Sequence, residues 1–164
     1  MTDETHRIDK SVKYDLSHSI GHIHEHGLDY DSDIIYLIDD IDRDSMKQFI
    51  KNINILQRKD KCETILIHMS TCGGCWDSGI EIYNAIKACP KTVVVLGGYL
   101  YSMGSVILQA ADKRVLYKES KLMIHDGCFT FEGTTKQAET EVEQLKNAKK
   151  DMRRIFLDTM KEAD

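Results

Sequence analysis

The chain has 164 residues, 41% of them hydrophobic and 30% charged, with a formal net charge of −5. That length fits one domain with a real core, and lysines and arginines spread along the chain exclude the basic footprint of a nucleic-acid binder. No apolar run is long enough to span a membrane and the N-terminus MTDETHRIDK is polar, unlike a signal peptide; five unevenly spaced cysteines fit a reducing cytoplasm better than a disulfide framework.

Residues 1–33 are polar and aperiodic and read as an arm, with His18, His22, His24 and His26 in SHSIGHIHEHG. On an extended segment His22, His24 and His26 would share one face, a transition-metal arrangement. A solvated polar arm is the simpler expectation, and no metal or cofactor is expected. From Ile34 the pattern becomes regular, and residues 34–126 read as an α/β core. IIYLI (34–38) is a short apolar run of the kind buried strands make. Asp42 or Asp44 then caps a helix with Met46, Phe49, Ile50, Ile53 and Leu56 on one face. TILIHM (64–69) is a second strand, and Ile82, Tyr83 and Ile86 mark a helix that ends before Pro90. TVVVL (92–96) is a third strand, SMGSVILQAA (102–111) a buried helix, and RVLY (114–117) and LMIH (122–125) are further strands. Strand–helix alternation with continuously apolar strands predicts an α/β domain with a largely parallel sheet. Residues 127–164 differ: Ala138, Val142, Leu145, Met152, Ile155, Phe156 and Met160 follow a helical stripe. At 1.5 Å per residue that helix would be roughly 45 Å long, long enough to project and pack on another subunit.

The stretch STCGGCW (70–76) has two readings. Cys72 and Cys75 lie after a strand and at a helix start, where the dipole favours a thiolate, as a redox Cys-x-x-Cys pair requires. A thioredoxin-like site also needs a proline opposite the dithiol, and Pro90 lies between a helix and a strand, too soon for that role. A zinc site lacks a second Cys/His pair at ligand spacing. In the other reading Gly73-Gly74 lets backbone N–H groups point into a pocket and stabilise an oxyanion. That reading needs a nucleophile and a base. Ser102 stands between a strand and a helix, as in a nucleophile elbow, although serine there is also a good helix N-cap. His125 closes LMIH, placed to face Ser102 and take its proton.

The ordered set of a Gly-Gly turn, Gly-x-x-x-Ser-Met (Gly98–Met103) and Met123-Ile124-His125, then a long helix, resembles the proteolytic subunit of the Clp protease, ClpP. The resemblance runs from about Ile34 to the C-terminus. It implies a ClpP/crotonase-like fold of repeated β-β-α units with a handle helix after Gly127–Gly133. It also implies Ser102 as nucleophile, His125 as general base and the N–H groups of Gly74 and Met103 as oxyanion hole. The family's turn, Asn-Ser-Pro-Gly-Gly, has Cys72 in place of the proline. The family's triad Asp lies past the handle helix, and by this correspondence the third member is absent from these 164 residues. Residues 1–33 do not match the family's axial loops. The activity implied by the resemblance is that of a serine endopeptidase acting on unfolded polypeptide or peptides. The implied assembly is a homo-oligomeric ring, with a Clp-type AAA+ unfoldase as the family's partner. An inactive ring or scaffold subunit and a crotonase-type acyl-CoA enzyme are the alternatives.

Overall fold

The computed structural model describes residues 21, 23, 25–127 and 130–161. Of the histidine cluster, His18, His22 and His24 lie outside them. Five strands form one sheet in sequential order: β1 (Leu28–Asp29), β2 (Ile34–Leu37), β3 (Thr64–Thr71), β4 (Thr92–Tyr101) and β5 (Lys113–Met123). β1 runs antiparallel to β2, and every later pairing is parallel. Helices α1 (Arg43–Gln57), α2 (Trp76–Lys87) and α3 (Met103–Leu108) connect the parallel strands, and α4 (Thr135–Lys161) follows the sheet. The expected α/β class with a largely parallel sheet and a long terminal helix is what forms.

Strand alternation sets the core. Ile35, Leu37, Ile65, Ile67, Met69, Val93 and Val95 are buried, and their neighbours along each strand are less so. On α1 the buried side chains are Phe49, Asn52, Ile53 and Leu56. Burying each of its large apolar residues contributes about 2 kcal/mol against exposure. Of the two candidate caps for α1 it is Asp42 that serves: its Oδ1 accepts from the N–H groups of Asp44 (2.9 Å) and Ser45 (2.8 Å). The Ser45 hydroxyl accepts in return from the Asp42 N–H at 2.9 Å, closing a capping box.

The structure departs from the sequence pattern in three places. The sheet starts before Ile34: Leu28, within the stretch read as an arm, is buried, and the His26 carbonyl accepts from Gln48 (2.9 Å) and Asn52 (2.6 Å) on α1. RVLY and the first two residues of LMIH belong to one strand, β5, because polar residues between them are tolerated on an exposed edge, where Ser120 Oγ donates to the Gly97 carbonyl at 2.6 Å; Ile124 and His125 lie past its end. Only Ile155 and Thr159 of α4 are buried, with Met152 and Phe156 packed against the core. Val142 and Met160, read as part of its apolar stripe, are exposed.

Candidate active site

The register of two parallel strands brings together residues far apart in sequence. β4 pairs Leu100 with Leu122 and Tyr101 with Met123 on β5, after a shift in register between Gly97 and Tyr99. Such a bulge re-aims the end of a strand. The chain then leaves β4 into α3 through Ser102, whose N–H donates to the Met123 carbonyl at 2.8 Å. His125 lies just past the end of β5 and so is not bound by the ladder. Its Nε2 is 2.8 Å from Ser102 Oγ. With the ring proton on Nδ1, Nε2 accepts the hydroxyl hydrogen. Among the described residues no carboxylate hydrogen-bonds His125.

Ser102 sits at the N-cap position of α3, yet its side chain caps nothing. Its backbone has φ 51°, ψ −116°, in the left-handed half of the map that a non-glycine residue enters at a cost. The neighbouring turn holds it there: Ser102 accepts at its carbonyl from the N–H and Oγ of Ser105, at 3.0 and 2.6 Å. A serine chosen merely to cap would point back at the helix. Here the hydroxyl points to the imidazole.

The Gly73-Gly74 turn lies against this corner. Gly73 has φ 101° and is packed so closely that a Cβ there would meet Ser102 Cβ at 2.6 Å and the Met103 nitrogen at 3.1 Å. Gly74 has φ 142°, and its Cβ would meet the Ile41 carbonyl oxygen at 2.2 Å. Both positions therefore exclude a side chain. Ile41 donates to the Gly73 carbonyl and accepts from the Cys75 N–H, each at 2.7 Å, an isolated parallel bridge. In that bridge the N–H of Gly74 faces away from Ile41. The Met103 N–H opens α3 and has no partner within the helix. Gly74, Ser102 and Met103 line one cavity.

A cavity of about 270 Å³ opens here, walled on the core side by Gly74, Cys75, Trp76, Ser102, Met103 and His125. Leu145, Ala148, Lys149 and Met152 of α4 form its other wall. Sequence reasoning placed Trp76 near the motifs but missed the α4 wall. The stripe through Leu145 and Met152 was a signal for it; nothing marked Lys149. Lys149 donates to Asp126 Oδ2, and chiefly this hydrogen bond holds the Asp126 carboxyl below the ordinary carboxylate range, with burial opposing and Arg153 and His125 adding to the field. Cys72 and Cys75 are exposed free thiols on either side of the glycine turn. Tyr99 lines a separate cavity with Asp39, Asp40, Asp42 and Cys72. Among the described residues no group of three or more His, Cys, Asp or Glu is placed to hold a metal ion, and no helix is long and apolar enough to cross a membrane.

Fold and site define a class: a parallel α/β domain with a serine–imidazole pair at a strand-to-helix turn. The family model for Clp protease matches residues 25–163, and the chain belongs to the Clp protease family. It is 29% identical over 125 residues to the ATP-dependent Clp protease proteolytic subunit 1 of Streptomyces avermitilis, covering 74% of this chain and 58% of the relative. It is 26% identical over 130 residues to the ATP-dependent Clp protease proteolytic subunit of Pleurastrum terricola, covering 77% and 66%. The chain therefore spans about three fifths of the length of these curated relatives. The structure is similar to that of a ClpP1 mutant from Listeria monocytogenes, with a TM-score of 0.71 and 22% identity over 79% of this chain and 72% of that one, so the two share the fold.

Proposed function

We propose that the chain is a Clp-type serine endopeptidase in which Ser102 is the nucleophile and His125 the general base. The observation that carries this reading is the 2.8 Å contact between Ser102 Oγ and His125 Nε2 in a serine that caps no helix. In this mechanism Ser102 Oγ attacks the peptide carbonyl carbon while Nε2 takes the hydroxyl proton. The carbonyl oxygen becomes an oxyanion that the Gly74 and Met103 N–H groups stabilise, a contribution worth about 3 kcal/mol per donor. The imidazolium then protonates the departing amine, leaving an acyl-serine. Water, deprotonated by the same imidazole, attacks that ester, and the acid product leaves with Ser102 Oγ reprotonated.

The reading extends to assembly. The relatives carry the name ATP-dependent Clp protease proteolytic subunit, which supports a homo-oligomeric cytoplasmic ring fed with unfolded polypeptide by a Clp-type AAA+ unfoldase. Val115, Tyr117, Leu122 and Ile124 on and beyond the edge strand, with Leu157 and Met160 on α4, are exposed apolar side chains of the kind subunit contacts cover. In this reading 34–126, together with β1, form the catalytic core and α4 belongs to the handle.

The lack of a carboxylate on His125 among the described residues favours a second reading, an inactive ring subunit, since loss of the orienting carboxylate costs about 10⁴ in rate in a serine protease. Exposure of the longest natural form to a fluorophosphonate, followed by intact mass and peptide mapping, separates the two. One adduct, on Ser102 and lost in Ser102→Ala, supports the peptidase. A folded protein that takes no adduct supports the inactive subunit.

A further inference from the structure

The reacting pair and the substrate wall belong to different parts of the molecule. Ser102 is fixed by the β4–β5 ladder, whereas His125 lies in the segment after β5, and the cavity's far wall is α4. The residue next to His125 is Asp126, and its carboxylate accepts from Lys149, which itself lines the cavity. The pair joins residues 23 apart in sequence and bridges the histidine segment to α4. Ile124 and His125 are past the strand, where the 2.8 Å contact to Ser102 Oγ ties the ring to the corner, and a Cβ on Gly127 would find nothing within 4 Å.

We propose that the Asp126–Lys149 ion pair is a positioning device for the serine site, holding His125 at Ser102 and the α4 wall in one register. The inference rests on the peptidase reading for its consequence in rate, but the coupling is a property of the ground state. Adjacent residues of an extended chain point to opposite sides, so Asp126 does not need to touch the imidazole to set where it lies. It anchors the backbone that carries His125, and Lys149 anchors Asp126 to the helix. The ionisable groups that line the cavity with His125 are Asp126 on its own segment, Lys149 on α4 and Cys75 at the start of α2, while Arg153 adds to the field at Asp126.

The full chain and its Lys149→Met, Asp126→Asn and Lys149→Arg variants are compared by the NMR shifts of the His125 ring at one fixed pH, and by the rate of fluorophosphonate labelling of Ser102. Removing either partner frees the His125 segment from α4, so Lys149→Met and Asp126→Asn are both expected to move the ring signals from their parent positions. Lys149→Arg keeps the ion pair and is expected to leave them in place. Labelling is expected to fall about tenfold in the first two, the cost of a small misplacement of the base, and to stay within about threefold of the parent in Lys149→Arg. Ring signals that keep their parent positions in Lys149→Met and Asp126→Asn, or that move as far in Lys149→Arg, overturn the proposal. A parent protein that takes no label overturns the peptidase reading instead, and the ring signals still decide whether the pair positions His125.

Discussion

The corner formed by Gly73, Gly74 and Ser102 and the helix α4 line the same cavity but are held by opposite means. The corner is fixed by backbone: the Ile41 bridge, the Ser102–Met123 hydrogen bond, and two glycines with no room for a Cβ. α4 is 27 residues long, about 40 Å at 1.5 Å per residue, and rests on the core through a short stretch of Met152, Ile155, Phe156 and Thr159. The nucleophile lies on the over-determined side, where strain such as the φ of 51° at Ser102 can be sustained. The wall that would meet substrate lies on the lightly anchored side, which is also the low-stability side of a fold on general grounds.

The contrast can be broken most directly at Ser102. Ser102→Ala removes the reacting oxygen and leaves the backbone corner, so peptide hydrolysis is expected to fall about 10⁴-fold or more while the circular dichroism spectrum is unchanged. Retained hydrolysis would refute the nucleophile assignment. Next in size is Gly74→Ala, where a Cβ would lie 2.2 Å from the Ile41 oxygen at a φ of 142°. Urea denaturation is expected to show a loss of about 3 kcal/mol or more. Gly127→Ala, at a φ of 76° but in open space, is expected to lose only about 1 kcal/mol. Equal losses at the two glycines would mean that backbone strain alone, not the close packing of the corner, governs both.

On the α4 side, Ile155→Ala removes a buried side chain and is expected to cost about 2–3 kcal/mol. Leu157→Ala, two residues on and 55% exposed, is expected to stay within about 0.5 kcal/mol in the isolated subunit. A large loss at Leu157 that depends on protein concentration would show a subunit contact there. The smallest effect belongs to pH. The Asp42 carboxyl is held below its ordinary range, first by the backbone N–H of Ser45. A depressed carboxylate stabilises the fold above its unfolded pKa of about 4, and that stability is lost as pH falls through the lower folded value. Asp42→Asn keeps a capping oxygen without the charge, so the acid limb of the stability curve is expected to become slightly shallower; the Asp126–Lys149 pair contributes to the same limb with the same sign.

Much of the fold is legible in the residues because it follows from period and punctuation. Apolar runs at 34–38, 64–69 and 92–96 became β2, β3 and β4, and the helix face of Phe49, Ile53 and Leu56 became the buried face of α1. β5 is not legible as one element, since an exposed edge strand has no burial alternation to mark its continuity. At the site, the Gly73-Gly74 turn, Ser102 and His125 stood out because chemistry restricts which residue types occupy such turns, whereas Met103, whose part is a backbone N–H that almost any residue supplies, came only with the family resemblance. Their proximity was not readable from spacing, as it depends on the register of β4 against β5 and on a bulge at Gly98.

The sequence by itself determined the α/β class, the strand and helix faces, and the motif set that matches the Clp protease family, because these depend on local period and residue type. Tertiary structure alone decided that Ser102 points at His125 instead of capping α3, that Gly73 and Gly74 admit no side chain, and that Lys149 reaches Asp126 from α4. Those are contacts between segments distant along the chain, and only the packed register of sheet and helix brings them within bonding distance.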